Sequence, residues 1–222
     1  MILIFDVDGT LIDSVKAHAA AWQTAFSEYG FHFAFDRIRG QIGKGSDELL
    51  KEFLSPEDSD RIGEELSDRR AKVFASDHMH TVRPFPGVRE LFERIHIDGH
   101  QLVLGTSAKG EELESYLKLL GIEGMTDGQT SSDDAERSKP HPDIFEAALA
   151  KVPGARPEDA LVIGDTPYDA IAARRGGMRP IGVLCGGFSE EQLREAGCVA
   201  IFPDVAGILQ RYDEIPWSAS NN

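Results

Sequence analysis

Short apolar runs recur along the 222-residue chain without the alternation of polar and apolar side chains that marks a half-exposed strand. A strand that is covered on both faces of its sheet needs no polar face. These runs therefore predict buried strands of a parallel sheet. They are Ile2–Phe5, Gln101–Leu104, Ala160–Ile163 and Ile181–Leu184.

Between these runs the apolar residues recur with helical spacing. The predicted helices are Val88–Ile95, Glu111–Leu120, Pro142–Lys151 and Tyr168–Arg175. Gly121 is placed to cap the end of the second helix. Strands that alternate with helices predict a doubly wound, Rossmann-like α/β fold with a mostly parallel sheet, in which ligands bind at the carboxyl ends of the strands.

One long stretch, from Ser14 to about residue 80, breaks this alternation because it has helical patterns and no convincing strand. The predicted helices of this stretch are His18–Tyr29, Ser46–Leu54 and Pro56–Ala75. We therefore divide the chain into an α/β core, residues 1–13 and 81–222, and an inserted α-helical domain, residues 14–80. The proline-rich segment Val82–Gly87 suits a hinge, and the chain end, Trp217–Asn222, is expected to fray.

Acidic residues outnumber basic ones, and the formal net charge is −15. This excess argues against a nucleic acid or an anionic membrane as the main partner. It also means that an anionic substrate needs a metal ion or local lysines to offset the field of the protein.

The expected location of the protein is the cytoplasm. Two cysteines, Cys185 and Cys198, are too few for a disulfide framework and are expected to be reduced thiols. The opening apolar run meets aspartates after five residues, unlike a signal peptide, and no apolar stretch approaches the roughly 20 residues that span a bilayer. We expect a protein with no membrane partner, either a monomer or a homodimer.

Two carboxylates follow the first predicted strand. Because side chains alternate along an extended backbone, Asp6 and Asp8 lie on the same side of it. Gly9 then permits a sharp turn, and Thr10 can hydrogen-bond to the local backbone. Two acids on one side of a buried strand's end indicate a chemical site rather than an ordinary turn.

Two further clusters offer groups that bind phosphate. Thr106 and Ser107 follow the second predicted strand and present hydroxyl and backbone N–H donors. Lys139 precedes Pro140 and a predicted helix, so its backbone is stiff and its ammonium group can act as a fixed cation. Either signal alone is weak, because an N-cap or a surface lysine explains it equally well.

The third predicted strand also ends on a carboxylate, Asp165, and Asp169 follows four residues later. Mg²⁺ binds proteins through one or two carboxylates together with substrate phosphate, and Asp6 with Asp165 would supply that set. Asp169 is either a supporting acid or a favourable charge in the first turn of the next helix. Taken together, the clusters indicate phosphoryl transfer through an aspartate.

The segments DVDGT and GDTPYD, with a strand-end threonine and a braced lysine between them, resemble the haloacid dehalogenase superfamily. The chain is similar to its phosphatase branch with a helical cap after the first motif, which includes phosphoglycolate-phosphatase-like and β-phosphoglucomutase-like enzymes. The resemblance implies that Asp6 is the nucleophile and that Asp8 is the acid and base. It further implies that Mg²⁺ is held by Asp6, Asp8 (through its backbone carbonyl), Asp165 and Asp169.

The same resemblance implies that Thr106, Ser107 and Lys139 bind the transferring phosphoryl group of a small phosphorylated metabolite, either a sugar phosphate or a phosphoglycolate-like compound. The cap would hold the rest of the substrate, and the candidates are His18, Arg39 and Lys44. Dehalogenases of the superfamily lack a second aspartate like Asp8, so the chain favours phosphate chemistry.

A phosphomutase is the main alternative. His18 and Lys109 match positions used by β-phosphoglucomutase, but Gly164 stands before Asp165 where the mutase has a glutamate. The loop of residues 40–46 also lacks the arginine expected of a mutase. A receiver domain, which is phosphorylated on an aspartate for signalling, places that aspartate on a later strand and has no large insert. We therefore favour hydrolysis.

Overall fold

A six-stranded parallel sheet forms the centre of the computed structural model, which describes residues 1–217. The strand order is β5-β4-β1-β6-β7-β8. The strands are β1 (Ile2–Phe5), β4 (Gln101–Gly105), β5 (Gly128–Thr130), β6 (Ala160–Gly164), β7 (Arg179–Val183) and β8 (Ala200–Phe202). The predicted α/β fold with a mostly parallel sheet is confirmed.

The central strand β1 shows why the apolar runs do not alternate. Leu3 and Phe5 belong to the apolar cluster on one face of the sheet, and Ile2 and Ile4 belong to the cluster on the other face. All four residues are buried. A strand of this kind requires apolar side chains at every position, because both of its faces are removed from water.

Helices cover both faces of the sheet. They are α5 (Val88–Ile97), α6 (Gly110–Leu120), α7 (Asp143–Ala150), α8 (Pro167–Arg175), α9 (Glu190–Ala196) and α10 (Val205–Gln210). The first four agree closely with the predicted ones, and the last two, α9 and α10, were not predicted. Gly121 follows α6 with a φ of 64°, the left-handed conformation of the predicted C-cap. The edge strands β5 and β8 were not predicted, since each has three residues and only one that is fully buried.

Residues 15–81 consist of helices joined by short loops. The segment contains α1 (Val15–Glu28), α2 (Phe35–Arg39), α3 (Ser46–Leu50) and α4 (Pro56–Val73), followed by a π-helical turn (Phe74–His78) and a 3₁₀ turn (Met79–Thr81). The segment has its own apolar cluster, which includes Trp22, Phe26 and Leu66. A separate apolar core is what an inserted domain requires, and the division at residues 14 and 80 stays a prediction.

The chain enters and leaves this helical segment side by side. Strand β2 (Ile12–Asp13) pairs antiparallel with β3 (Arg83–Pro84), within the proline-rich segment that suits a hinge. At the other end of the chain, Trp217 stacks on His100 with ring centroids 4.5 Å apart, so this residue is packed rather than frayed. The rest of the predicted frayed end, residues 218–222, lies outside the described residues. Within residues 1–217, no helix is both long and apolar enough to cross a bilayer.

Candidate active site

The acids after β1 and β6 meet because these strands are neighbours in the sheet. Phe5 is in register with Ile163, and the backbone N–H of Asp6 donates to the carbonyl of Ile163 at 2.9 Å. Parallel strands end at the same edge of a sheet, so Asp6 and Asp165 face one site there. Oxygen atoms of Asp6, Asp165 and Asp169 all lie within 4.8 Å of one another, and the three residues are buried.

Lys139 is the cation of this cluster. Its side chain is 1% exposed, and its Nζ lies 2.5 Å from Asp6 Oδ1 and 2.7 Å from Asp169 Oδ1. Burial by itself would lower the pKa of Lys139, but the carboxylates of Asp169 and Asp6 outweigh it and hold that pKa above its ordinary value. The structure therefore places Lys139 inside the site as a fixed positive charge and not on the surface.

Asp165 has an oxygen that the protein does not satisfy. Its Oδ1 accepts a hydrogen bond from Thr10 Oγ1 at 3.0 Å, but its buried Oδ2 has no hydrogen-bond partner in the described part of the chain. Burial and the neighbouring acids Asp169 and Asp6 raise the pKa of Asp165 well above its ordinary range. Burial, together with Asp169, likewise raises the pKa of Asp6 to about 7 despite the opposing Lys139. Buried, crowded carboxylates with an unpaired oxygen fit a divalent cation.

Asp169 connects the cluster to helix α8. Its Oδ2 accepts from the backbone N–H of Thr166 at 3.1 Å and from Thr166 Oγ1 at 2.7 Å, and Thr166 Oγ1 accepts from the Asp169 N–H in turn. This is a capping box at the start of the helix. Its other oxygen, Oδ1, lies 2.7 Å from Lys139 Nζ, so Asp169 joins Lys139 to the start of this helix.

Asp8 is held by the helical segment. Its Oδ1 accepts from Ser14 Oγ at 2.5 Å and lies 2.8 Å from His18 Nε2, on helix α1. Burial acts to raise the pKa of Asp8, but the charge of His18 and the hydrogen bonds from His18 and Ser14 lower it below the ordinary value. The structure thus places His18, a candidate for holding the substrate, in contact with Asp8.

His18 also connects the helical segment to helix α6 of the core. Its ring stacks on Phe74 at 4.0 Å, and its Nε2 lies 3.1 Å from the hydroxyl of Tyr116. That hydroxyl donates to Glu112 Oε1 at 2.7 Å, and on the far side of the ring Nδ1 lies 3.4 Å from a terminal nitrogen of Arg70. These contacts hold the ring in one orientation.

The hydroxyl groups after β4 differ in their surroundings. Thr106 is fully buried, and its Oγ1 accepts from the backbone N–H of Ala108 at 3.1 Å, which leaves its hydroxyl proton free to donate. Ser107 lines the cavity next to Asp6 and Asp8. Both are thus at the strand end where the sequence predicted a phosphate-binding turn.

A narrow cavity with a volume of about 50 Å³ lies between this edge of the sheet and the helical segment. Lys44 lines it, and its Nζ lies 2.7 Å from Glu52 Oε1. Arg39, the other cation expected to hold substrate, does not line the cavity. It donates instead to the carbonyl of Gly186 in the loop after β7, at 3.3 Å.

Three residues that line the cavity were not predicted to do so from the sequence. They are Trp22, Arg70 and Glu112. Each lies in a long helix with a regular pattern, where a charge looks like part of a solvated face and an aromatic ring looks like core. Only the packing of α1 and α4 against α6 brings them beside Asp8.

The family comparison agrees with this geometry. The family model described as haloacid dehalogenase-like hydrolase matches residues 3–183, which include all the strand ends that carry the acids. The chain belongs to the haloacid dehalogenase-like hydrolase family, as its motifs predicted.

Individual relatives cover most of the chain. A phosphoglycolate phosphatase from Aquifex aeolicus is 29% identical over 186 residues, covering 83% of this chain and 85% of that protein. The fructose-1-phosphate phosphatase YqaB from Escherichia coli is 25% identical over 181 residues, covering 82% and 95%. The crystal structure of a hydrolase from Pseudomonas syringae superposes with a TM-score of 0.89 at 34% identity, covering 99% of this chain and all of that one.

Proposed function

We propose that the protein is a cytoplasmic, Mg²⁺-dependent phosphatase that hydrolyses a small phosphorylated metabolite through an aspartyl-phosphate on Asp6. The observation that carries this proposal is the buried cluster in which Lys139 joins Asp6 to Asp169 beside the unpaired oxygen of Asp165. Buried charges cost stability unless they are fully paired, so such a cluster is typical of a functional site. The phosphatase names of the relatives support the same reaction.

In the first half-reaction, a carboxylate oxygen of Asp6 attacks phosphorus and the bond from phosphorus to the leaving oxygen breaks. Lys139 orients Asp6 through their 2.5 Å contact and supplies positive charge to the phosphoryl oxygens. Thr106 adds its free hydroxyl proton as a further donor. Ser107 lines the cavity wall and would contact the same group.

Asp8 moves the proton in both halves of the reaction. It first protonates the leaving oxygen, and it then takes a proton from the water that attacks the aspartyl-phosphate, which releases phosphate and regenerates Asp6. The lowered pKa of Asp8 favours the carboxylate form that the second half needs. Because the second half returns a proton to Asp8, this residue is again ready to protonate the next leaving oxygen, and His18, 2.8 Å away, holds its carboxyl group in place.

A divalent cation fits the acid cluster. Asp6, Asp165 and the backbone carbonyl of Asp8 would hold Mg²⁺, and Asp169 would keep Lys139 in place beside it. When bound, the ion withdraws electron density from the phosphoryl oxygens and offsets the negative charge of the site. The unpaired Asp165 Oδ2 is the observation that fits this role.

The test is phosphate release from p-nitrophenyl phosphate, 2-phosphoglycolate and a panel of sugar phosphates, with Mg²⁺ and with EDTA. We expect turnover that requires Mg²⁺ and that Asp6→Asn lowers by at least about 1,000-fold. Asp13→Asn, which changes an exposed aspartate of β2, is the matched control and should retain activity. Full turnover in metal-free buffer, or by Asp6→Asn, would contradict the proposal.

A phosphomutase is the second candidate, because His18, which matches a position used by β-phosphoglucomutase, contacts Asp8. The space at residue 164 opposes it: a β-carbon there would lie 2.5 Å from Cβ and Cγ of Asp169, so the mutase glutamate does not fit. Lys109 pairs with Asp68 at 3.0 Å and does not line the cavity. The test incubates the protein with a hexose 1-phosphate and a bisphosphate primer and measures both products. Release of free phosphate supports the phosphatase, whereas formation of the isomeric hexose phosphate with little free phosphate supports the mutase.

A further inference from the structure

Arg70, on helix α4, is a cavity residue whose hydrogen-bonding capacity is largely unused. Its side chain is 11% exposed, and its buried Nε has no hydrogen-bond partner within residues 1–217. One terminal nitrogen lies 3.8 Å from Glu112 Oε2 and 3.4 Å from His18 Nδ1. Charge-assisted hydrogen bonds are usually about 2.7–2.9 Å long, so neither contact is a close pairing.

Other cations nearby are closely paired. The preceding residue, Arg69, donates two hydrogen bonds to Glu28, at 2.5 and 2.6 Å. Lys44 in the cavity wall lies 2.7 Å from Glu52. Arg70 is thus a cation in the cavity wall with donors left for a ligand.

The position of Arg70 relative to Asp8 indicates which part of a substrate it can contact. Asp8 and Arg70 approach opposite nitrogens of the same His18 ring. Asp8, His18 and Arg70 all line the same cavity. Since Asp8 is the proposed donor to the leaving oxygen, the leaving part of the substrate would occupy this cavity, within reach of Arg70. The cavity is narrow, which favours a short group for that part.

We propose that Arg70 binds an oxyanion on the leaving part of the substrate, a carboxylate or a second phosphoryl group. A guanidinium binds either group through two parallel hydrogen bonds. This inference rests on the proposed phosphatase function and narrows its substrates to short phosphate compounds with a second anionic end. Glu112, whose other oxygen accepts from Tyr116, partly balances Arg70 when no substrate is bound.

Two matched substrate pairs test the inference. The first pair is 2-phosphoglycolate and 2-hydroxyethyl phosphate, which differ in a carboxylate against a hydroxymethyl group. The second pair is the bisphosphate of ethane-1,2-diol and 2-methoxyethyl phosphate, which differ in a second phosphoryl group against a methyl group. We expect a kcat/KM ratio of at least about tenfold in favour of the anionic member of one pair, arising mainly in KM. The pair that shows the preference identifies the anion as a carboxylate or a phosphoryl group.

Arg70→Gln is expected to bring this ratio close to one, and Arg70→Lys, which keeps the charge and loses the two-pronged geometry, to an intermediate value. Arg69→Gln removes the same charge one residue away and should keep the wild-type ratio. Thermal unfolding of each variant shows whether it is folded, and Arg70→Lys serves as the test if Arg70→Gln is not.

The two proposals fail in different ways. If the wild type hydrolyses p-nitrophenyl phosphate but shows no preference in either pair, the role of Arg70 is overturned and the phosphatase function stands. The role is also overturned if folded Arg70 variants keep the wild-type ratio. If no phosphate ester is hydrolysed, the phosphatase function itself fails.

Discussion

Lys139 occupies an unusual place for a lysine, since its ammonium group is removed from water between two carboxylates. The raised pKa of Lys139 keeps its ammonium group charged at neutral pH, so this positive charge does not change over the pH range of an ordinary assay. Lys139 is the cation that contacts both Asp6 and Asp169. Without the lysine, Asp6 and Asp169 would remain buried together with no cation of the protein between them.

We expect Lys139→Ala to lower the free energy of unfolding by about 3–5 kcal/mol, because it breaks a buried ion pair and leaves the partners uncompensated. Phosphatase activity should fall by at least about 100-fold, because a donor to the transferring group is lost. Urea unfolding and initial rates measure the two effects.

Lys151→Ala is the control for this change. Lys151 is 42% exposed and pairs with Asp134 at 3.3 Å, so its removal should cost less than about 1 kcal/mol. If both lysine variants unfold at the same urea concentration as the wild type, the buried cluster does not contribute to stability as described.

The loop between α2 and α3 brings the helical segment into contact with the core, and glycines permit the approach. A β-carbon at Gly45 would lie 1.9 Å from Ser138 Oγ and 2.4 Å from Ser138 Cβ, next to Lys139 in the chain. At Gly43, with a φ of 107°, a β-carbon would lie 2.6 Å from Thr166. The closed arrangement of this loop therefore depends on residues without side chains.

Gly45→Ala is expected to hold the loop away from the core and to lower kcat/KM by about tenfold or more, with little change in Tm. The backbone of Gly45, at φ −73° and ψ 168°, suits alanine, so the effect arises from side-chain crowding, above all by Ser138, with Asp47 Oδ1 next at 3.0 Å. Steady-state kinetics and thermal unfolding measure both quantities.

Two variants check this explanation. Gly40→Ala places a β-carbon no closer than 3.5 Å to its neighbours and should behave as wild type. Ser138→Gly combined with Gly45→Ala removes the clash and should recover activity. Wild-type kinetics for Gly45→Ala alone would show that this contact does not matter for catalysis.

At the scale of the whole molecule, electrostatics acts in two opposite directions. The net charge of −15 repels an anionic substrate at long range, whereas Lys139 and Arg70 attract it at short range inside the site. Long-range repulsion between exposed charges and the substrate is screened by salt, and buried contacts are screened much less.

We therefore expect kcat/KM for a phosphorylated anion to rise by about two- to fivefold when NaCl increases from about 10 mM to about 150 mM, as the Debye length shortens from about 30 Å to about 8 Å. Saturated turnover, kcat, should stay unchanged because the substrate is already bound. A fall in kcat/KM over this range would show that local attraction outweighs the field of the protein.

The parts of the fold that could be predicted are those in which the order of polar and apolar residues within one segment indicates its structure. Strands β1, β4, β6 and β7 are buried on both faces, so each is a run of apolar residues. Such a run can be recognised without knowing the rest of the structure. The edge strands β5 and β8 and the short helix α2 have few residues and partial burial. Their conformations depend on neighbours that are distant in the chain, so local patterns were insufficient to predict them.

The sequence by itself determined the fold class, the family and the strand-end groups from Asp6 to Asp169, because each motif lies within a few residues of a recognisable buried strand. Only the tertiary structure decided which cations reach the cavity. It brings Arg70 and Glu112 together with His18 and directs Arg39 to the loop after β7. These residues lie on separate helices, and the relative positions of helices follow from packing between surfaces and not from any pattern within one of them.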